Sequence, residues 1–224
     1  MKKVISFCLW GDDPKYCAGA IKNARLRDEV YPEWTCRFYI HKNVPKKYIE
    51  ELNSIDLVET VILEGDADWK FTVERFKAID DEGVECVIFR DTDSRLNSRE
   101  AAAVEEWLSS DATLHLMRDH PRHGSFPILA GMWGLKKKKF PYNMANTIKD
   151  YEGKKVEEQY HYDQIFLASY IWPSLNSDCT THDEFFTDNP FPSPRSDNSF
   201  VGQSFNENEE TPQDALQEIQ LASK

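Results

Sequence analysis

Between residues 4 and 118, short apolar runs alternate with longer amphipathic stretches, and no other feature restricts the possible folds so sharply. "VISFCLW" (4–10) reads as a buried strand ended by a turn at Gly11-Asp12-Asp13-Pro14, with a helix from Tyr16 to Glu29 behind it. "CRFYIH" (36–41) is a second strand, and Pro45 opens the helix "PKKYIEELNS", where proline's fixed φ suits a first turn. "DLVETVIL" is a third strand, "FTVERFKAIDD" a helix ended by Gly83, and "ECVIF" (85–89) a fourth strand. The helix "SREAAAVEEWLSS", with Ser98 as its N-cap, leads into the strand "ATLHLM". Strands and helices alternating at this spacing predict a three-layer α/β/α sandwich around a mostly parallel sheet. The 13 Phe, 9 Tyr and 6 Trp supply its core.

After residue 118 the rhythm changes. "RDHPRHGSFPILAGMWGL" reads as loop with short strand pieces, and "YHYDQIFLASYIW" as a helix with Asp163 in its first turn. Residues 173–205 look irregular. One domain over 1–205 is expected, followed by an acidic, mobile tail or linker over 206–224. In open α/β folds the loops at the C-terminal ends of strands build the site.

A net charge of −12 argues against nucleic acid or an anionic membrane surface as partner. No apolar run is long enough for a membrane span, and the N-terminus shows no signal-peptide pattern. The five cysteines are widely spaced with no C-x-x-C, so Cys8, Cys36 and Cys86 read as packing. A cytoplasmic location is expected, the host's cytoplasm for a viral protein.

The run Val87-Ile88-Phe89 climbs straight into Arg90-Asp91-Thr92-Asp93-Ser94-Arg95. Two carboxylates one residue apart at the end of a core strand repel unless a cation lies beside them. A hard divalent ion, Mn²⁺ or Mg²⁺, fits such oxygen ligands and leaves places for phosphate oxygens. The plainer alternative is a solvated turn in which Asp91 caps the next segment and the arginines neutralise it. Two phosphate chemistries share the pattern. One is that of haloacid-dehalogenase-type phosphatases, with the first Asp as nucleophile. Against it, Ser94 stands where those enzymes have Thr or Val, and the pair ends the fourth strand rather than the first. The other is a cation site for the diphosphate of a nucleotide sugar. A non-catalytic nucleotide- or carbohydrate-binding module is the third possibility.

"FTVERFKAIDDEGVECVIFRDTDSRL" resembles the segment of GT-A glycosyltransferases in which an Arg on a helix precedes the strand and its D-x-D. "RDTDSRLNSREAAAVEEWL", "MRDHPRHGSFPILAGMWGLK" and "FFTDNPFPSPR…FVGQSF" together resemble small glycosyltransferases of large algal DNA viruses and some bacteria. The resemblance implies a GT-A fold, a nucleotide-sugar donor (usually UDP-linked), a divalent metal, and a glycan or glycoprotein acceptor. It implies Asp93 as main metal ligand, with Asp91 assisting the metal or facing the ribose. Arg75, Arg90 and Thr92 would lie against the nucleotide, and the loop from Leu9 through Trp10 and Gly11 to Tyr16 would cradle the base. His182, or alternatively Asp183, would complete the metal shell.

Asp163 is the candidate for an acceptor-side general base, and Asp119 in "MRDHP" the competing acid. The bland reading of Asp163 is that it complements a helix N-terminus. Gly131 and Gly134 would allow close backbone approach to a ligand, Trp133 would offer a face to a sugar ring, and Arg195 would reach the diphosphate. "KKKK" (136–139) reads as a solvated turn.

Overall fold

The computed structural model describes residues 1–154, 160–195 and 197–222, and its strands form one seven-stranded sheet. β1 (Lys2–Leu9), β2 (Thr35–His41), β3 (Val58–Leu63) and β4 (Val84–Phe89) follow the expected order. β5 (Leu114–Arg118), β6 (Trp133–Lys136) and β7 (Cys179–Asp183) complete a sheet ordered β3-β2-β1-β4-β6-β5-β7. All pairings are parallel except those of β6, which runs antiparallel to both β4 and β5.

Side chains alternate between the two faces of each strand, and the two cores follow from that. Ile5, Phe7 and Leu9 of β1, with Cys86 and Ile88 of β4, pack under α1 (Pro14–Val30), α2 (Lys46–Asn53) and α3 (Ser98–Ser109). Val4, Cys8, Val87 and Phe89 face the other layer. That layer holds a 3₁₀ segment (Trp69–Asp80), α4 (Met144–Gly153) and the helical stretch from Tyr162 to Leu175. The predicted three-layer sandwich is therefore present. β1 lies between β2, which follows it through α1, and β4, which arrives only after β3. The strand order reverses at that point, which leaves a crevice at the C-terminal ends of β1 and β4.

Several local expectations need correction. "FTVERFKAIDD" winds as a 3₁₀ helix, not an α-helix. The N-cap of α3 is Asn97, whose side chain accepts from the Glu100 N–H at 3.0 Å, one residue before Ser98. The stretch 162–175 divides into α5 (Tyr162–Phe166), a π turn (Leu167–Ile171) and α6 (Trp172–Leu175). Pro173 sits in α6, where it has no N–H to give to the preceding turn. The lysine tract is not a free turn. Lys136 Nζ donates to the carbonyls of Trp107 (2.8 Å) and Ser110 (2.6 Å), satisfying the C-terminus of α3.

Residues 206–222, expected as a mobile tail, are docked. α7 (Gln213–Ala222) buries Ala215 and Ile219 beside Phe200. Arg122 pairs with Asp214 (2.8 Å) and Glu218 (2.5 Å), and Glu209 pairs with Arg95 (2.7 Å) and Lys22 (2.5 Å). The tail's acidic residues thus find basic partners far back in the chain. Among the described residues no helix is long and apolar enough to cross a membrane.

β5 and β7 share a buried imidazole pair. His115 Nε2 lies 2.8 Å from His182 Nδ1, and His182 Nε2 lies 3.3 Å from Glu106. Burial pushes both imidazoles below their ordinary pKa, and for His115 the neighbouring His182 adds to it. The unfolded chain takes up these protons near pH 6.5 while the folded chain resists them, so stability is lost as pH falls below about 6.5. Urea midpoints measured from pH 8 to 5.5 are expected to fall, and to fall less in His115→Gln. Equal slopes in the two proteins would remove the pair as the cause.

Candidate active site

At the crevice between β1 and β4 lies a cleft of about 400 Å³. The β1–α1 connection gives it Leu9, Trp10, Gly11 and Tyr16. Asp91, Thr92 and Asp93 line it from the end of β4, Arg75 from the 3₁₀ segment, and Asp163 from α5. Sequence positions up to 154 residues apart, from Leu9 to Asp163, are thus assembled by the topology alone. Gly11 has φ +76°, a left-handed conformation that glycine adopts without a steric cost.

The acid pair reaches the cleft through a turn, not as two extended residues. Ser94 closes it, its N–H and Oγ both donating to the Asp91 carbonyl at 3.3 and 2.9 Å. α1 fixes the turn from behind. Asn23 Nδ2 donates to the carbonyls of Thr92 (3.2 Å) and Ser94 (2.8 Å), and its Oδ1 accepts from the Leu96 N–H at 3.1 Å. Gly19 lies so close that a Cβ there would stand 2.1 Å from the Thr92 oxygen. From the C-terminal side, the Phe205 N–H donates to the Asp93 carbonyl at 2.8 Å.

Each acid has its own cation. Arg75 Nη1 lies 2.5 Å from Asp91 Oδ1, and its Nη2 lies 2.9 Å from Asp163 Oδ2. Lys15 Nζ lies 2.7 Å from Asp93 Oδ2. Burial, with the charge of Asp91 adding to it, raises the pKa of Asp93. Burial also raises that of Asp163, against the pull of Arg75. Asp163 Oδ1 accepts from the Gln164 N–H at 2.9 Å, so the residue does complement its helix start as well as face the cleft. His161, the N-cap of α5, has φ +75°, a strained backbone for a non-glycine residue, and lines the same space.

Other expected residues lie elsewhere. Arg90 is buried on the opposite face, where it pairs with Glu100 at 3.1 Å and donates to the Phe89 carbonyl. Strand alternation explains the error, since Arg90 shares the parity of Cys86 and Ile88 while Asp91 shares that of Val87 and Phe89. Asp119 is fully buried between Arg99 (3.1 Å) and Arg195 (2.5 Å), which removes both Asp119 and Arg195 from the cleft. His182 is held by His115 and Glu106, and Asp183 by Arg118 and the N–H groups of Phe185 and Phe186. Trp133 is core, stacked on Phe89 at 4.2 Å. Gly134 packs on Ile88 and Trp107, whereas Gly131 makes room for an acid: a Cβ would stand 2.0 Å from Asp91 Oδ2.

Sequence reasoning missed Trp69, Thr72, Tyr160, His161 and Gln164, all of which line the cleft, and gave Lys15, inside the Leu9–Tyr16 loop, no role of its own. Trp69 and Tyr160 meet edge to face at 5.0 Å on its rim. Neither has a motif around it. Lys15 was legible in principle, because it opens the helix that follows the first strand.

Does the cleft suit a divalent cation? Among the described residues no three His, Cys, Asp or Glu side chains converge. Mg²⁺ in nucleotide enzymes is commonly held by only one or two carboxylates, with phosphates and water completing the shell. Asp91 and Asp93 meet that need. The charge balance agrees, since among the described residues Asp12, Asp13, Asp91, Asp93 and Asp163 line the space against the guanidinium of Arg75. The residues present fit Mn²⁺ or Mg²⁺.

The sheet order, its antiparallel β6 and a cleft at the switch point define a GT-A-type α/β fold. Neither a family model nor a curated protein matches the chain. Solved structures do. One is a glycosyltransferase involved in glycosylation of the major capsid of PBCV-1, 16% identical over 82% of each chain with a TM-score of 0.51. A second is the galactosyltransferase LgtC, 12% identical over 80% of this chain and 73% of that one, TM-score 0.53. A third is the 4-diphosphocytidyl-2C-methyl-D-erythritol synthase of Anaerococcus prevotii, 11% identical over 86% and 91%, TM-score 0.52. At such identities the likeness is one of fold.

Arg75→Met would strand two carboxylates, one buried and one half exposed. A loss of about 3 kcal/mol is expected, at the low end for a broken buried pair because Asp91 is half in water. Urea denaturation measures it, and Arg75→Met/Asp163→Asn should recover part. A loss within the noise of the surface range would remove Arg75 as the organiser of the cleft.

Proposed function

We propose that this protein is a metal-dependent glycosyltransferase that moves a sugar from a UDP-linked donor to a hydroxyl of a glycan or glycoprotein. The observation that carries the reading is the meeting of the β1–α1 loop, the acid pair and Asp163 in one cleft at the switch point of the sheet. Open α/β sheets bind nucleotides at such places. The fold shared with the PBCV-1 capsid glycosyltransferase and with LgtC supports the same class of reaction.

In this reading Tyr16, partly exposed beside the acid pair, offers its ring to the base. Asp93 and Asp91 hold Mn²⁺ or Mg²⁺, which when bound supplies positive charge for the departing diphosphate. Arg75 aims Asp91 and Asp163 at the same space from two sides. The acceptor oxygen bonds to the anomeric carbon as that carbon's bond to the diphosphate oxygen breaks, and the electron pair leaves with the nucleoside diphosphate. In an inverting transfer Asp163 takes the acceptor's proton; in a retaining one it orients the sugar.

The phosphatase alternative loses ground, since the acid pair follows β4 and not the first strand. The likeness to the diphosphocytidyl-methylerythritol synthase favours a different rival, transfer of a nucleotidyl group in the same cleft. The products separate the two, nucleoside diphosphate in one case and pyrophosphate in the other. Calorimetric titration of UDP and GDP, each with and without Mn²⁺, is the first test. UDP binding that needs Mn²⁺ and weakens at least about tenfold (~1.4 kcal/mol) in Asp93→Ala is expected. Indifference to both nucleotides under all conditions would overturn the proposal.

A further inference from the structure

The two cations that meet the cleft's acids are not equivalent. Arg75 is buried, forked between two carboxylates, and also donates to the Arg90 carbonyl at 3.1 Å. These three partners hold its two Nη groups in place. Lys15 reaches Asp93 from outside the lining, from the first turn of α1. Its side chain is 29% exposed, and among the described residues its head meets, beyond the carboxylate, the side chain of Tyr16, whose ring centroid lies 4.9 Å away. An ammonium on a flexible four-carbon stem with a single acid partner can be re-aimed at small cost.

The charge of the site gives that freedom a use. Among the described residues five carboxylates line the cleft against one guanidinium, so a diphosphate arriving alone meets repulsion. A divalent cation arriving alone finds Asp93 already paired. Arriving together, each removes the other's obstacle. The cation neutralises Asp93, and the diphosphate gives the freed ammonium a new anion within reach of its stem.

We propose that Lys15 is a displaceable counter-ion: it holds Asp93 in the free protein, releases it to the divalent cation, and turns to the donor's diphosphate, which makes cation and nucleotide bind cooperatively. This rests on the donor-and-cation reading of the cleft given above. It adds a positioning residue outside the acid pair, and it assigns the coupling between two ligands to one side chain. Coupling of this kind is reciprocal: the factor by which the cation tightens nucleotide binding is the factor by which nucleotide tightens the cation, and the loss of Lys15 lowers that one factor.

The test compares wild type with Lys15→Met and Lys15→Gln, which shorten no helix and bury no charge. Mn²⁺ affinity without nucleotide is read by electron paramagnetic resonance, and UDP affinity with and without Mn²⁺ by calorimetry. In both variants Mn²⁺ alone is expected to bind more tightly, on the order of fivefold, the range of a partly exposed ion pair. UDP in saturating Mn²⁺ is expected to bind more weakly by a similar factor, so that the coupling shrinks. Circular dichroism and the urea midpoint check that both variants are folded. Wild type that couples the two ligands, with folded variants that couple them equally, would overturn the role of Lys15 and leave the donor reading standing. Wild-type UDP binding indifferent to Mn²⁺ would overturn the donor-and-cation reading, and this proposal with it.

Discussion

A single buried guanidinium ties the functional half of the molecule together. Arg75 comes from the 3₁₀ segment, Asp91 from the turn after β4 and Asp163 from α5, three places that share no local sequence. An ion withdrawn from water that far is tolerated only when fixed partners replace its hydration. Here two carboxylates and the Arg90 carbonyl do so for its two Nη groups, and Ser6 Oγ donates to the Arg75 carbonyl at 2.7 Å and fixes the residue to β1. The ion pair therefore acts less as a source of stability than as a constraint on geometry. It is satisfied only when the 3₁₀ segment, the acid turn and α5 sit in one relative arrangement, and that arrangement encloses the cleft.

The first half of the fold was legible because its signals are local. Short apolar runs separated by amphipathic stretches point to β1 to β4 and a mostly parallel sheet, and an acid pair after the fourth run marks the end of a strand beside the switch point. What followed was not legible for an equally physical reason. β6 is four residues long within a stretch that reads as loop with short strand pieces, and its antiparallel place between β4 and β5 is fixed by those two strands and not by a local signal. The acidic C-terminal segment has no strong pattern of its own, and the partners that seat it, Lys22, Arg95 and Arg122, lie far back in the chain.

The candidate site divides the same way. Leu9, Gly11, Asp91 and Asp93, argued from a position on a strand end or in the first loop, reached the cleft. Asp119, also argued from a strand end, and His182, argued from the family pattern, went instead into buried pairings just after β5 and on β7. A carboxylate or an imidazole is as useful for satisfying a core as for catalysis, and only its partners distinguish the two. Arg90 belongs to a separate class. Its face follows from counting along β4, so strand parity alone sufficed to exclude it.

The back of the acid turn carries a last consequence. Gly19 and Asn23 sit one helical turn apart on the buried side of α1, where one leaves space for the Thr92 carbonyl and the other satisfies three backbone groups of the turn. The D-x-D is thus no transplantable cassette. Grafted behind a covering helix with a larger residue at the first place or an aliphatic one at the second, the same three letters would lose their shape. What a descendant or a designer inherits as the motif is half loop and half helix, written some seventy residues apart.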